Sequence, residues 1–245
     1  MIRPFTADLH IHTCLSPCGD WEMSPKGIIT AALRQKLDII AICDHNTADN
    51  IPGVMAAARD TPLTVLPGME ICSAEEVHIL GIFETVENAQ RMQSFCFDAL
   101  ESQNQPEVFG YQIIANENNE VIGECEKCLI DAIKQPVTKI VEQIHLLGGL
   151  AIASHINRPA FGILGQLGFI PPDLSLDALE IIPPFDDQQA GRLLPHQQHY
   201  PRILSSDAHY PVDIGKRKTT FYLKAPFLAE IRLALAGKEG RHMED

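Results

Sequence analysis

Short apolar runs alternate with helical patterns along most of this chain. ADLHIHT (7–13) reads as a strand. It is followed by SPKGIITAALRQKL, a helix with Ser24 as N-cap and Pro25 at its first position. DIIAICDHN (38–46) reads as a second strand and NIPGVMAAARD (50–60) as a second helix. LTVLPGMEICS (63–73) and EVHILGIF (76–83) are strand-like and close enough to be neighbours. TKIVEQIHLLGG (138–149) is a helix with a glycine stop, and GLAIASHIN (149–157) and DALEIIP (177–183) are strands. DQQAGRLLPHQQHY (187–200) reads as a helix, RILSSDAH (202–209) as a strand, and PFLAEIRLALAG (226–237) as a closing amphipathic helix. Repeated β–α alternation predicts an α/β fold on a parallel sheet, open or closed into a barrel.

Residues 84–136 interrupt this rhythm. ENAQRMQSFCFDALESQ (87–103) predicts a helix, GYQIIANENNEVIGE (110–124) a hairpin around Asn118–Asn119, and EKCLIDAIKQ (126–135) another helix. The segment is expected to be a small inserted α/β subdomain on a loop of one domain spanning 1–245, at the end where substrates bind.

The polar residues inside the apolar runs change the picture. In a strand, alternate residues share a face. Asp8, His10 and His12 are therefore expected on one face, and Leu9, Ile11 and Thr13 on the other. A buried face is normally filled with Val, Ile or Leu. Similar oddities recur at Asp44-His45-Asn46, Glu70, His78, His155, Asp207 and His209, each read at the C-terminal end of a predicted strand. In α/β barrels such ends converge on one mouth. Imidazoles with carboxylates suit zinc, manganese or iron. Isolated core histidines would not recur at so many strand ends, because each buried polar group is costly.

Composition narrows the partners. The 245 residues are 45% hydrophobic with a net charge of −13. That charge argues against stable binding of duplex nucleic acid, which needs a broad basic surface. It leaves room for a small phosphorylated ligand. No signal peptide and no membrane span are read, so a cytoplasmic protein is expected. The seven cysteines are expected to be reduced. Cys125 and Cys128 form a single CxxC in GECEKC, read as two thiols opening a helix. His145, His196, His199 and His242 are left as ordinary polar positions.

DLHIHT, DHN, GME, EVHILG, SHINRP and SSDAH, in that order, resemble the motifs of the PHP (polymerase and histidinol phosphatase) superfamily. The resemblance spans about residues 7–215. It implies a distorted (β/α)7 barrel with two to three divalent metal ions (Zn, Mn or Fe), usually hydrolysing phosphoesters. By position, it implies one metal held by His10, His12, Glu70 and Asp207. Glu70 would bridge to a second, completed by His78 and His155. A third would take His45, His209 and Asp20. The loop CLSPCGD (14–20), which carries Asp20, is longer than the compact family version. Asp8 and Asp44 are expected to orient neighbouring imidazoles. Arg158, in SHINRP, is expected to grip the substrate phosphate and is counted with Asp207 and His209 as catalytic. Lys216, Arg217 and Lys218 form a basic triplet read equally as a phosphate attractor or a solvated turn.

The expected function is a phosphoesterase acting on a small phosphorylated metabolite or nucleotide, with a metal-bound hydroxide as nucleophile. Two other readings are an amidohydrolase-type metal hydrolase, whose usual strand-end lysine is absent here, and a non-catalytic PHP module, in which ligands are commonly lost.

Overall fold

The computed structural model of the chain describes residues 1–185, 188–189, 192 and 200–244. The helix expected over 187–200, with His196 and His199, lies largely outside the described residues.

Among the described residues the fold is α/β, a curled sheet of nine strands. In chain order the main strands are β1 (Arg3–Ile11), β2 (Ile39–Ile42), β3 (Thr64–Cys72), β4 (His78–Ile82), β7 (Leu150–Ala153), β8 (Ala178–Glu180) and β9 (Arg202–Ile203). These pair in that order, and β10 (Thr219–Leu223) and β11 (His242–Met243) extend the sheet beyond β1. β5 (Ile113–Ala115) and β6 (Val121–Glu124) form the separate hairpin. The sheet is not wholly parallel. β3 and β4 are joined by a tight connection, so β4 runs antiparallel to both β3 and β7. β10 is antiparallel to β1. At one end the sheet closes on itself: His12 N–H donates to Ala208 O (3.0 Å) and Ala208 N–H to His10 O (3.2 Å).

Each face of the sheet has its own core. Phe5, Ala7, Leu9, Ile39, Ala41, Leu80 and Ile152 fill one face with Leu228, Ile231 and Ala234 of the closing helix α7 (Leu228–Leu235). On the other face Ile11, Ile40, Ile42, Met69 and Ile79 pack under α1 (Pro25–Arg34), α2 (Ile51–Ala58), α3 (Val86–Ala99) and α5 (Val137–Leu146). Full burial of each such side chain contributes roughly 1.5–3 kcal/mol before chain entropy is counted. α1 starts where expected, with the Ser24 side chain accepting from Gly27 N and Pro25 in the first turn. α3 belongs to this layer: Ala89, Met92, Cys96 and Ala99, at helical spacing, face the larger core.

Leu9 and Ile11 lie in different cores although strict alternation would put them together. The pairing of β1 with β2 shifts register between Asp8 and Ile11. This bulge re-phases the strand, so Asp8 does not join His10 and His12. Its carboxylate accepts from Ser206 N and Gly215 N instead, and burial pushes its pKa up to about 6. It ties the loop after β9 to β1 and orients no imidazole.

The insertion hairpin forms as expected, with Asn119 at φ +67° in its turn. The helix expected over 126–135 does not. Buried amides compete for its backbone: Gln112 binds Cys125 O, Lys127 O and Leu129 N, and Asn46 donates to Leu129 O and Asp131 O. The segment is therefore a set of turns. Short helices with described bounds are α4 (Pro106–Phe109) and α6 (Ile163–Gln166). Among the described residues no helix is long and apolar enough to cross a membrane. Cys125 and Cys128 are free, buried thiols on turns.

Candidate metal centre

The end of the sheet where β1 meets Ala208 gathers most of the polar strand-end residues. His10 and His12 leave β1, His45 and Asn46 follow β2, and Glu70 lies near the end of β3. His78 opens β4, which runs the other way and so begins at this same end. His155 follows β7, and Asp207 and His209 follow β9. Asn46, His155 and Asp207 sit at φ +54°, +29° and +54°. Non-glycine residues adopt such angles only where surrounding contacts enforce them, and they concentrate at functional sites.

Glu70 is the hub. Its Oε1 lies 2.9 Å from His78 Nδ1, 3.1 Å from His155 Nε2 and 3.4 Å from His10 Nε2. Its Oε2 lies 3.2 Å from His45 Nδ1 and 3.4 Å from His12 Nε2. Asp207 Oδ1 is 3.5 Å and 3.4 Å from His10 Nε2 and His12 Nε2. Among the described residues three sets have ligand atoms within 4.8 Å of one another: His10, His12, Glu70 and Asp207; His45, Glu70 and His78; and His12, His45 and His209.

The outer bonds fix which ring nitrogen faces inward. His10 Nδ1–H donates to Glu180 Oε2 at 2.9 Å, leaving the Nε2 lone pair toward the cluster. Ser16 Oγ–H donates to Asp44 Oδ1 (2.6 Å), so the Ser16 oxygen accepts from His12 Nδ1–H at 3.0 Å. Asp44 thus orients His12 through Ser16, while its other bonds hold Thr13. His209 Nδ1–H donates to Asp207 O. The Phe161 ring, on a backbone at φ +63°, stacks on His78 with centroids 4.5 Å apart.

These residues fit divalent metal ions on their own geometry. His10 Nε2 and His12 Nε2 are 3.1 Å apart, and two such lone pairs repel unless a proton or cation lies between them. His78 Nδ1, close to Glu70, and His155 Nδ1 are buried without a hydrogen bond. Electrostatics agrees. Burial opposes charge on Glu70, but His78 and His10 outweigh it and hold the carboxyl well below the usual range. Burial lowers His10 too, yet Glu180, Glu70 and Asp207 overcome it and raise its pKa well above 6.5. Burial and the neighbouring His12 pull His209 down to about 4 and His45 well below 6.5, keeping both in the neutral form that metals bind.

Three predicted residues stand outside the sets. His155 belongs to none of them, although its Nε2 lies 3.1 Å from Glu70 Oε1. The Asp20 side chain belongs to none of the three sets. Its Oδ1 accepts from Glu22 N, and its backbone N–H donates to His209 O, so it lies on the rim. Arg158 reaches the mouth, and its guanidinium contacts Asp207 Oδ2 at 3.2 Å. In the basic triplet, Arg217 donates to Ser205 O and Ser206 O, so this residue braces the β9 loop. Glu180 and Ser16 are not among the residues expected from the sequence. Glu180 ends β8, and the strand-end rule applied there would have found it; Ser16 carries no local signal.

A PHP domain model matches residues 8–160. The 5'-3' exoribonuclease Rnm of Salmonella typhimurium is 25% identical, with 86% of this chain and 88% of that protein covered. A 5'-3' exoribonuclease of Haemophilus influenzae is 32% identical over 78 residues, which is 31% of this chain and 27% of that protein. The lesion-specific endonuclease Q of Pyrococcus furiosus superposes with a TM-score of 0.75 at 20% identity, over 98% of this chain and 58% of its own. A second endonuclease Q structure holds a 27-mer duplex with an abasic lesion at the active site. The matched segment thus covers 27% of the Haemophilus protein, and the chain covers 58% of endonuclease Q. The expectation that an acidic chain excludes duplex nucleic acid is overturned by that complex and by the exoribonuclease relatives. Net charge sums over the whole surface, whereas a phosphate meets the local field of the mouth. With its ordered motifs, its Glu70-centred cluster and this match over well more than half its length, the chain belongs to the PHP domain family.

Proposed function

We propose that this chain is a metal-dependent phosphoesterase that cleaves phosphodiester bonds of single-stranded nucleic acid. One observation carries the reading: both oxygens of one buried carboxylate, Glu70, face different imidazoles at 2.9–3.4 Å, the arrangement of a ligand that bridges two ions. The similarity to exoribonucleases points to nucleic acid rather than a small metabolite.

In this reading His10, His12, Glu70 and Asp207 hold one ion. A second would be held by Glu70 with His45, His78 and His155 around it. His12, His45 and His209 border a third position. Divalent ions bound there supply Lewis acidity toward phosphoryl oxygens and acidify water. The chain's own residues do the rest. Glu180 and Ser16 hold the two β1 imidazoles with Nε2 inward. Arg158, 43% exposed, holds non-bridging phosphate oxygens at the rim with its planar fork. The Phe161 ring keeps water from one face of His78.

The test is metal analysis of purified protein, followed by assays of the manganese-, zinc- and iron-loaded forms on 5'-phosphorylated RNA oligonucleotides, sugar phosphates and amides. Release of nucleotides from RNA, abolished by a chelator, is expected. Turnover of sugar phosphates or amides with RNA left intact would overturn the reading.

A further inference from the structure

Two large aromatic side chains stand exposed beside the metal centre with no part in it. Trp21, the only tryptophan of the chain, is 63% accessible, and Tyr210 is 52% accessible. Soluble proteins ordinarily bury tryptophan, so such exposure asks for an explanation. The two positions are linked. Trp21 follows Asp20, Tyr210 follows the candidate ligand His209, and Asp20 N–H donates to His209 O at 2.9 Å. Both side chains therefore leave the backbone at neighbouring points of the rim. One residue further along each segment, a groove of about 580 Å³ begins between Glu22 and Pro211–Val212. It runs along the exposed side of α1, past Lys26 and Arg34. Lys26 Nζ donates to Asn118 Oδ1 of the insertion hairpin, and Glu22 is the acidic residue of the groove.

We infer that Trp21 and Tyr210 form a nucleobase-stacking platform beside the metal centre, and that the α1 groove carries the adjoining phosphates of a single strand past Lys26 and Arg34. This rests on the nucleic-acid reading above and adds the strand's path to it. Aromatic faces beside a cationic track suit single strands, because every base offers a π-face and every link a negative charge. Duplex bases are already stacked on one another, so they could not use the platform without being unpaired. The platform also separates substrates: a minimal phosphodiester with no base would reach the metals and gain nothing from it.

The experiment uses the full-length, metal-loaded protein with a 5'-phosphorylated single-stranded RNA and with bis(p-nitrophenyl) phosphate. Trp21→Ala and Tyr210→Ala should each raise KM for RNA about 5- to 150-fold, as loss of one stacked base does. Hydrolysis of the small diester and metal content should stay unchanged. Trp21→Phe should restore most of the RNA affinity. Since Trp21 is the sole indole, its fluorescence should be quenched when RNA is added to the wild type. Lys26→Glu with Arg34→Glu should lower the log–log salt slope of binding by about 0.7 per lost phosphate contact. RNA cleavage with KM within twofold in both alanine variants and no quenching overturns the platform while leaving the proposed function intact. A protein that neither binds nor cleaves RNA overturns both.

Discussion

Glu180 Oε2 accepts from His10 Nδ1 at 2.9 Å, entirely out of contact with solvent, and so fixes which nitrogen His10 turns toward Glu70 and Asp207. A carboxylate in this position raises the basicity of the inward nitrogen and stops the ring from flipping. Glu180→Ala should weaken metal binding about 10- to 100-fold, while Glu180→Gln, which still accepts the hydrogen bond, should lose less. Titration of apoprotein with manganese, followed by calorimetry, checks both. Equal affinity in wild type and the alanine variant would mean that packing alone orients His10.

Glu70→Gln and His209→Ala should part company. The Glu70 change removes the charge shared between two sets of ligands, so more than one ion per chain should be lost together with activity. The His209 change touches only the set of His12, His45 and His209. Inductively coupled plasma mass spectrometry of the dialysed variants should therefore find a smaller loss in His209→Ala. Identical losses would merge the two sets into one cooperative unit.

Asp20 bonds to the backbone of Glu22 and belongs to none of the ligand sets. Asp20→Asn should thus keep its metal content, since an amide oxygen can still accept from Glu22 N. A reduced third anomalous peak in crystals of the variant would instead return Asp20 to the ligands.

Arg158 contacts Asp207 Oδ2 from a position open to solvent. Arg158→Ala should leave the ions in place and cost about 2–4 kcal/mol in kcat/KM, or about 30- to 1000-fold, through the lost charge-assisted phosphate contact. Arg158→Lys should recover only part, having charge without the planar fork. Steady-state kinetics within about twofold of wild type would make this a surface arginine paired with Asp207 and nothing more.

Far from the centre, Glu230 takes two bonds from Arg241, at 2.6 and 2.9 Å, and one from Lys224 N. The Arg241 hydrogen bonds lower its pKa from 4.5 to about 2. A depressed carboxylate stabilises the fold fully above its unfolded pKa and loses that contribution as pH falls through the folded value. Glu230→Gln should therefore lower Tm by a few degrees at pH 7. The difference should shrink below about pH 4.5 and vanish near pH 2. A gap between the two melting curves that does not change with pH would assign the effect to packing.

Much of this site could be read from the chain because its rule is local. A histidine or carboxylate interrupting a β-branched run at a strand end is visible without any partner, and His10, His12, His45, Glu70, His155, Asp207 and His209 all obey it. Helix starts are equally local, as Ser24 and Pro25 illustrate. Other features depend on groups distant in sequence. The bulge after Asp8 arises from pairing with β2, and it moves Asp8 off the face of His10. The reversed direction of β4, which brings His78 to the common mouth, follows from pairing with β3 and β7. The turns over 126–135 exist because Gln112 and Asn46 claim backbone groups that a helix would have paired internally. Glu180 lies 170 residues from His10, and Arg217 braces a loop through carbonyls that any sequence would offer. Alternation, capping and residue chemistry act over a few residues and are written in the chain. Register, strand direction and the partner of a buried charge are set by long-range contacts, which form only when the sheet curls and brings its strand ends together.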